Sequence, residues 1–110
     1  MPKVLNIRDI KETGDFWTLN TVRIDGLSSW GNPFIIGVNG DRDTVCDSYL
    51  DWLTQWIKNK RVLEMTVHNR EYSNKWVVEN LSQLRGKNLA CWCSPLRCHG
   101  DTLVALANVR

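Results

Sequence analysis

Three cysteines, a histidine and an aspartate lie within eleven residues near the end of this chain, in the segment Cys91-Trp92-Cys93-Ser94-Pro95-Leu96-Arg97-Cys98-His99-Gly100-Asp101. Thiols and an imidazole act as nucleophiles, carry protons or bind soft metal ions. A single cysteine is often simply buried in a core, but three beside a histidine are hard to explain by packing alone. The sequence therefore predicts a reactive or metal-binding centre in this segment.

The thiols should be positioned by a strand and a helix. An apolar run predicts a buried strand over residues 87–93, in which Cys91 and Cys93 point to the same face. Pro95 turns the chain out of the strand. Cys98 then precedes the last helix, predicted over residues 102–108, where free N–H groups and the helix dipole stabilise a thiolate.

This arrangement gives each polar residue of the segment an expected role. Cys98 is the thiol expected to have a lowered pKa, and His99 beside it is the expected proton carrier or ligand. Asp101 caps the helix or orients a partner. The predicted catalytic residues are Cys93, Cys98, His99 and Asp101.

Zinc is the alternative occupant of the segment. Three thiols and an imidazole make a familiar zinc ligand set, but known structural sites use two separated Cys-x2-4-Cys hooks, which this spacing does not match. The Pro-Cys-x-x-Cys and His-x-Glu signatures of zinc deaminases are also missing from the sequence. The sequence thus favours no cofactor and no metal; if zinc binds, its predicted ligands are Cys91, Cys93, Cys98 and His99.

A second motif, Trp30-Gly31-Asn32-Pro33-Phe34, has the residues of a ligand-binding turn. Glycine and the Asn-Pro pair define a tight turn, and the flanking aromatic rings offer flat apolar surfaces beside an amide that both donates and accepts hydrogen bonds. A base or another planar ring could stack there. The predicted ligand-binding residues are Trp30, Gly31, Asn32 and Phe34. In the competing interpretation, the two aromatic rings simply close the core.

The elements that must position these motifs alternate between strand and helix. The periodicity predicts strands over residues 4–10, 16–24 and 87–93, a helix over 43–60, and a second helix between Ser73 and Gly86. Tyr49, Leu53, Trp56 and Ile57 should pack the first helix against the sheet. This order is typical of a small three-layer α/β domain with a mainly parallel sheet and the Cys/His loop at its C-terminal edge, where the two motifs should meet.

Composition limits the class of protein. The 110 residues and 12.7 kDa allow one domain over residues 1–110. A net charge of +2 is too mild to indicate nucleic-acid binding and does not exclude it. The sequence shows neither a leader peptide nor a long apolar run, so we expect a cytoplasmic protein without a membrane contact. Isolated Cys46 and His68, and the tryptophans Trp52, Trp56 and Trp76, are interpreted as structural.

The two motifs in this order resemble a family of small uncharacterised domains encoded by bacteriophages and bacteria, with a W-G-N-P-F box and a C-W-C-x4-C-H-G-D box. The similarity covers roughly residues 22–108. The resemblance implies an enzymatic or nucleotide-related role in a domain of unknown function. Basic residues are associated with the segment before the first box in that family, whereas this chain has Gly26-Leu27-Ser28-Ser29 there.

Two classes of function remain open. The favoured one is a small phage-type domain that binds a nucleotide-like or other planar or anionic small ligand, and that acts on it as an enzyme if the Cys/His site is catalytic. The alternative is a non-enzymatic accessory protein that binds a host protein or nucleic acid through aromatic residues or the basic Lys58, Lys60 and Arg61, with its cysteines packed or holding zinc. A phage-encoded chain would act in the host cytoplasm. The sequence does not define the oligomeric state.

Overall fold

The computed structural model describes residues 3–9, 20–26 and 28–109. Along the chain its elements are β1 (Val4–Asn6), β2 (Thr21–Arg23), α1 (Arg42–Asn59), β3 (Glu64–Val67), β4 (Arg70–Ser73), α2 (Asn74–Glu79), a 3₁₀ turn (Leu81–Leu84), β5 (Asn88–Cys91) and α3 (His99–Ala107). The protein is a small α/β domain with a parallel sheet, as the sequence predicts.

The main sheet contains three parallel strands in the order β1-β5-β2. Leu89 of the central strand pairs with Val4 on one side and with Val22 on the other. All three strands run in the same direction, so their carboxyl ends lie at one edge. The chain after β2 and the cysteine-rich loop after β5 both begin at that edge.

Apolar side chains cover both faces of β5. Leu89 and Cys91 belong to the main core. Ala90 lies between them in the strand and points to the opposite face, where it packs with Ile7 and Leu5 in a second cluster. This arrangement explains why residues 89–93 of the predicted strand are a continuous apolar run: a strand buried on both faces shows no alternation.

The predicted helix over residues 43–60 is confirmed to within one residue at each end as α1. Asp41 caps its start by accepting a hydrogen bond from the Thr44 N–H at 2.8 Å. Lys60 ends it in the left-handed conformation with φ 53°. Its backbone N–H donates to the Trp56 carbonyl, which is the hydrogen bond of an αL cap, and the Arg61 N–H donates to the Gln55 carbonyl.

The core face of α1 differs from the predicted one at its last turn. Tyr49 and Leu53 are buried as expected, but Ile57 is 39% exposed. Trp56 is only partly buried, and the Lys75 ammonium of α2 lies 5.3 Å from its indole centre. The helix packs mainly against α2 and α3, while its buried side chains share one core with β5.

Two local features differ from the sequence prediction. Strands β3 and β4 form an antiparallel hairpin that was not predicted. The second helix begins at the predicted cap, where the Ser73 side chain accepts from the Trp76 N–H at 3.3 Å. It is interrupted at Asn80 and continues as the 3₁₀ turn. Gly86 follows this turn with φ 76°, a conformation that favours glycine.

The two N-terminal strands are shorter than predicted. Residues 7–9 are helical, so β1 is only three residues long. Of the predicted strand over 16–24, residues 16–19 lie outside the described part of the chain, as does residue 10 of the first. Within the described ranges, every helix is too short or too polar to cross a membrane.

Candidate functional site

A cavity of about 310 Å³ lies where β2 and β5 end. It brings together residues from both sequence motifs, which are about sixty positions apart in the chain, so the predicted convergence of the two motifs is confirmed. The lining residues are Asp25, Gly26, Asn32, Phe34, Ile35, Ile36, Arg42, Val45, Cys46, Cys91, Trp92, Cys93, Arg97, Cys98 and His99.

Three thiols form a cluster in the wall of this cavity. The sulfurs of Cys91, Cys93 and Cys98 all lie within 4.8 Å of one another, and this group could hold a metal ion. The Cys91 and Cys98 sulfurs are 3.0 Å apart and buried, whereas Cys93 is partly exposed. The cluster forms because the chain turns back after β5. The Leu96 N–H donates to the Cys93 carbonyl at 2.8 Å, and the Ser94–Pro95 peptide in this turn is cis.

Hydrogen-bond donors surround the sulfurs. The Gly100 N–H donates to the Cys98 Sγ at 3.2 Å. The backbone N–H groups of Cys93 and Ser94 lie close enough to Cys91 to lower the pKa of its thiol, and the Arg42 guanidinium lies close enough to Cys93 to do the same there. Donors directed at sulfur favour the negatively charged thiolate over the neutral thiol.

The pKa values of the three thiols diverge because the groups compete for one negative charge. Hydrogen bonds from the Cys91 and Cys98 thiols, together with Arg42, lower the pKa of Cys93. Hydrogen bonding to Cys91 and Cys93, and burial, raise the pKa of Cys98. The expectation that Cys98 has the lowered pKa is therefore wrong. The helix N-terminus is present, but the neighbouring sulfurs and burial outweigh it, so Cys93 is the thiol that ionises most readily.

His99 is buried, and its proton position follows from its neighbours. Its Nε2 lies 2.7 Å from the Ile24 carbonyl oxygen. A carbonyl can only accept, so Nε2 donates, and in the neutral ring Nδ1 is then an acceptor. Nδ1 is 3.6 Å from the Cys98 sulfur. Burial lowers the pKa of His99. The imidazole can thus accept a hydrogen bond from the Cys98 thiol, but it is not part of the group of three metal-binding candidates.

Asp101 has a structural role at the start of α3. Its carboxylate accepts from the Cys98 N–H at 3.1 Å, and Cys98 itself is the N-cap, so the two residues form a capping box. The Asp101 side chain is exposed and outside the cavity lining. The expected capping role is therefore observed.

Trp30 does not form an open stacking surface. Its ring is only 6% exposed and packs edge-on against Trp76 with centroids 4.8 Å apart. Its carbonyl accepts from the Tyr49 hydroxyl at 2.9 Å. Of the two sequence interpretations, the structure supports core packing for this residue. Trp76, expected in the core, is 37% exposed.

The other residues of the first motif shape the cavity. Gly31 has no room for a side chain, because a Cβ would lie 2.9 Å from the Asp25 carbonyl oxygen. The Asn32 amide donates to the Val45 carbonyl at 3.1 Å and accepts from the Phe34 N–H at 2.9 Å, which ties the loop to α1. Phe34 and Asn32 both line the cavity, whereas Gly31 is outside its lining.

Sequence reasoning missed a polar cluster at the opposite side of the cavity. Asp25 is buried and accepts two hydrogen bonds of 2.8 Å from Arg23 and one of 2.9 Å from the Trp92 indole N–H. Trp92 is 46% exposed and lines the cavity. The sequence did contain a signal for this cluster: an Arg-x-Asp spacing at the end of a strand places both side chains on one face.

Two arginines, Arg42 and Arg97, join the cysteine loop to the start of α1. Arg97 forms ion pairs with Asp43 at 3.1 Å and Asp47 at 2.7 Å. The Arg42 guanidinium donates to the Arg97 carbonyl at 3.0 Å, in addition to its contact with Cys93. Arg42 is far from the thiols in sequence, so the sequence gave no indication of this contact.

Comparison with known proteins gives one match. The model of a family described as a domain of unknown function, DUF4326, matches residues 7–109. Neither curated proteins nor solved structures give a match. The matched range contains both sequence motifs, the cavity they form and nearly all of the described elements. The chain therefore belongs to the DUF4326 family.

Proposed function

We propose that this protein binds a planar, anionic small molecule of nucleotide-like shape in the cavity, and that the thiol cluster acts on the bound molecule. The observation that carries the proposal is the convergence of both sequence motifs on one cavity, where apolar walls, an arginine and three thiols face the same space. Concave sites with apolar walls and a few convergent polar groups are typical of small-molecule binding.

The apolar walls suit a flat ring. Phe34, Ile35 and Val45 lie on the side of the first motif and α1, and the half-exposed Trp92 lies on the side of β5. A volume of about 310 Å³ is at the lower end of small-molecule sites, which favours a single nucleotide or a smaller compound. An aromatic ring at such a wall contributes about 1–3 kcal/mol for each stacked base.

The charges favour an anion. The cavity is lined by two arginines, Arg42 and Arg97, and by one carboxylate, Asp25. Asp25 is already neutralised by its ion pair with Arg23 at 2.8 Å. Arg97 is held by two aspartates of α1, so Arg42 is the cation best placed to contact an anionic group beside Cys93. Cys93 is the most exposed of the clustered thiols, so a ligand in the cavity would contact it first.

Ligand binding can be tested with matched nucleosides and nucleotides. Isothermal titration of the purified chain with adenosine and uridine, and with their 5′-monophosphates, should give binding of at least one monophosphate that is stronger than binding of its nucleoside. Arg42→Ala should raise the Kd of that monophosphate about tenfold or more, since hydrogen bonds to charged groups contribute about 1.5–3 kcal/mol.

Arg85→Ala is the matched control, because Arg85 is exposed and outside the cavity lining. It should leave the Kd unchanged. Equal effects of the two substitutions, or no binding by any of the four compounds, would contradict the proposal. The accessory-protein class would then be the better description.

A further inference from the structure

We propose that Cys91, Cys93 and Cys98 bind one zinc ion through their three sulfurs, with a fourth coordination position open to the cavity. This inference depends on the geometry of the thiols and not on the identity of any ligand. Zinc coordinates thiolates, so each thiol that is protonated in the metal-free protein releases its proton as the ion binds.

The spacing of the sulfurs matches one ion. A zinc–sulfur bond of about 2.3 Å in tetrahedral geometry separates neighbouring sulfurs by about 3.8 Å. In this protein the separations range from the 3.0 Å between Cys91 and Cys98 up to at most 4.8 Å. Side-chain shifts of about 1 Å or less therefore bring all three sulfurs to bonding distance of a central ion.

The donors around the sulfurs are those that a metal thiolate centre needs. Backbone N–H groups point at the Cys91 and Cys98 sulfurs, and Arg42 points at that of Cys93. Such outer contacts orient the ligands of metal sites and offset their charge. Three thiolates and Zn²⁺ leave one negative charge, which Arg42 balances. Packed neutral thiols would need none of these donors.

Two rigid elements hold the ligands. Cys91 is the last residue of the central strand and Cys98 caps α3. The loop between them is fastened to β1, since the Asn6 amide donates to the Ser94 carbonyl at 2.8 Å and the Ser94 hydroxyl donates to the Val4 carbonyl at 3.2 Å. The loop therefore brings Cys93 to the other two sulfurs without a second Cys-x2-4-Cys hook.

The protein supplies three ligands. Among the described residues, the candidate group contains no fourth histidine, cysteine or acidic side chain. His99 Nε2 donates to the Ile24 carbonyl, and its other nitrogen lies outside the group. All three cysteines line the cavity, so the remaining position faces the space where a small molecule would bind. Three protein ligands and one open position are the arrangement of catalytic rather than structural zinc.

The first test is the metal content of the intact chain, purified from cells under reducing conditions without added chelator. Elemental analysis and native mass spectrometry should find one zinc per chain. Cys91→Ser, Cys93→Ser and Cys98→Ser should each lower zinc affinity tenfold or more. Cys46→Ser is the matched control: this buried thiol also lines the cavity but is not part of the cluster, so its substitution should retain the metal.

Cobalt substitution of the unaltered chain gives a readout that does not depend on the variants folding. Co²⁺ should produce thiolate-to-metal charge-transfer absorption and the strong d–d bands of tetrahedral cobalt. Addition of azide should shift the d–d bands if the fourth position is open.

Three results would overturn the inference. The first is purified protein that contains no zinc and shows no thiolate band when cobalt is added. The second is a loss of metal in Cys46→Ser as large as in the cluster variants, and the third is a disulfide between Cys91 and Cys98 in protein kept under reducing conditions. A d–d spectrum insensitive to azide would overturn the open position. Zinc binding without nucleotide binding would reject the proposed ligand and leave this inference intact.

Discussion

Asp25 supports the wall of the cavity that is formed by the Trp92 indole. Its carboxylate accepts the two Arg23 hydrogen bonds and the Trp92 indole hydrogen bond. Because the carboxylate is buried and Trp92 is half exposed, this contact anchors the indole at the edge of the cavity. A side chain from the segment after β2 therefore helps to orient Trp92 relative to the thiols.

We predict that Asp25→Asn lowers the free energy of unfolding by about 1–3 kcal/mol, because the charge-assisted bonds weaken and the new amide group faces N–H donors. The partial exposure of Arg23 places the effect toward the lower end. Urea denaturation measures the loss, and tryptophan fluorescence should report the change around Trp92. Asp51→Asn, on the exposed side of α1, is the control. Equal denaturation midpoints for the two variants would contradict this role.

At the residue scale, the sequence located the site better than it assigned the roles within it. The clustering of Cys91, Cys93 and Cys98 could be predicted because strand alternation and a turn bring close neighbours in sequence together. The acidity of each thiol could not, since it depends on Arg42 and on sulfur-to-sulfur distances that only the fold defines. The packing of Trp30 against Trp76 also depends on a distant contact.

At the scale of elements, the start of α1 links helix stability to the site. Asp41 caps the helix and Arg42 is its first residue, so the cap also fixes the arginine that contacts Cys93. Hydrogen bonding from Thr44 lowers the pKa of Asp41 below the ordinary value of 3.8. A carboxyl group with a lowered folded-state pKa stabilises the fold above its unfolded-state pKa and loses that effect as the pH falls through the folded-state value.

We therefore predict that Asp41→Ala lowers the denaturation midpoint at neutral pH, and that the deficit relative to the unaltered chain shrinks at pH values below 3.8. Urea denaturation over a pH series measures this. Asp41→Asn keeps the acceptor without the charge, so its stability relative to Asp41→Ala should vary little with pH. A deficit in Asp41→Ala that stays constant across the series would show that the negative charge of the cap contributes nothing to stability.

Elements with a strong local pattern were predictable, and the hairpin shows why others were not. Helix α1 has a regular apolar stripe and a good cap. The hairpin has short strands that are largely exposed, and its two-residue turn consists of His68 and Asn69, with φ 50° and 64°. Both positive φ values match a type I′ turn, for which Asn-Gly is the strong sequence signal. Asn69 in the second turn position, preceded by histidine, is a weak signal for such a turn.

At the scale of the whole molecule, the Asn74 side chain joins three parts of the structure. This fully buried side chain accepts from the Leu63 and Lys75 N–H groups, both at 2.8 Å. It donates to the Trp52 carbonyl at 2.8 Å and to the Arg61 carbonyl at 3.0 Å. It thereby connects α1, the segment before the hairpin, and α2.

We predict that Asn74→Ala lowers the free energy of unfolding by about 3 kcal/mol or more, because four backbone groups lose their partner and each unsatisfied buried group costs about 1–3 kcal/mol. Asn59→Ala, at the exposed end of α1, should change it by about 0.5 kcal/mol or less. Chemical denaturation of the two variants makes the comparison. A small effect of Asn74→Ala would mean that water replaces the amide at little cost.

The fold class was predictable from the alternation of strands and helices, and the strand order was not. The apolar run around Leu89 indicates a strand covered on both faces, which places it at the centre of a sheet. Nothing in the residues of β1 and β2 shows which side each one takes. That choice is made by contacts such as the pairing of Val4 and Leu89, which lie far apart in the chain.

The central position of β5 also determines when the site forms during synthesis. In the described part of the chain, β1 and β2 pair only with β5, which the ribosome produces after both of them. The helix α1 and the hairpin can form from local contacts as they emerge, whereas the sheet must wait and then close loops spanning most of the chain. The ribosome produces the thiols of Cys91, Cys93 and Cys98 at the end of β5 and directly after it. The sheet, the cavity and the sulfur cluster therefore appear together in one late step, and a half-folded nascent chain does not present an assembled thiol centre to oxidants or metals in the cell.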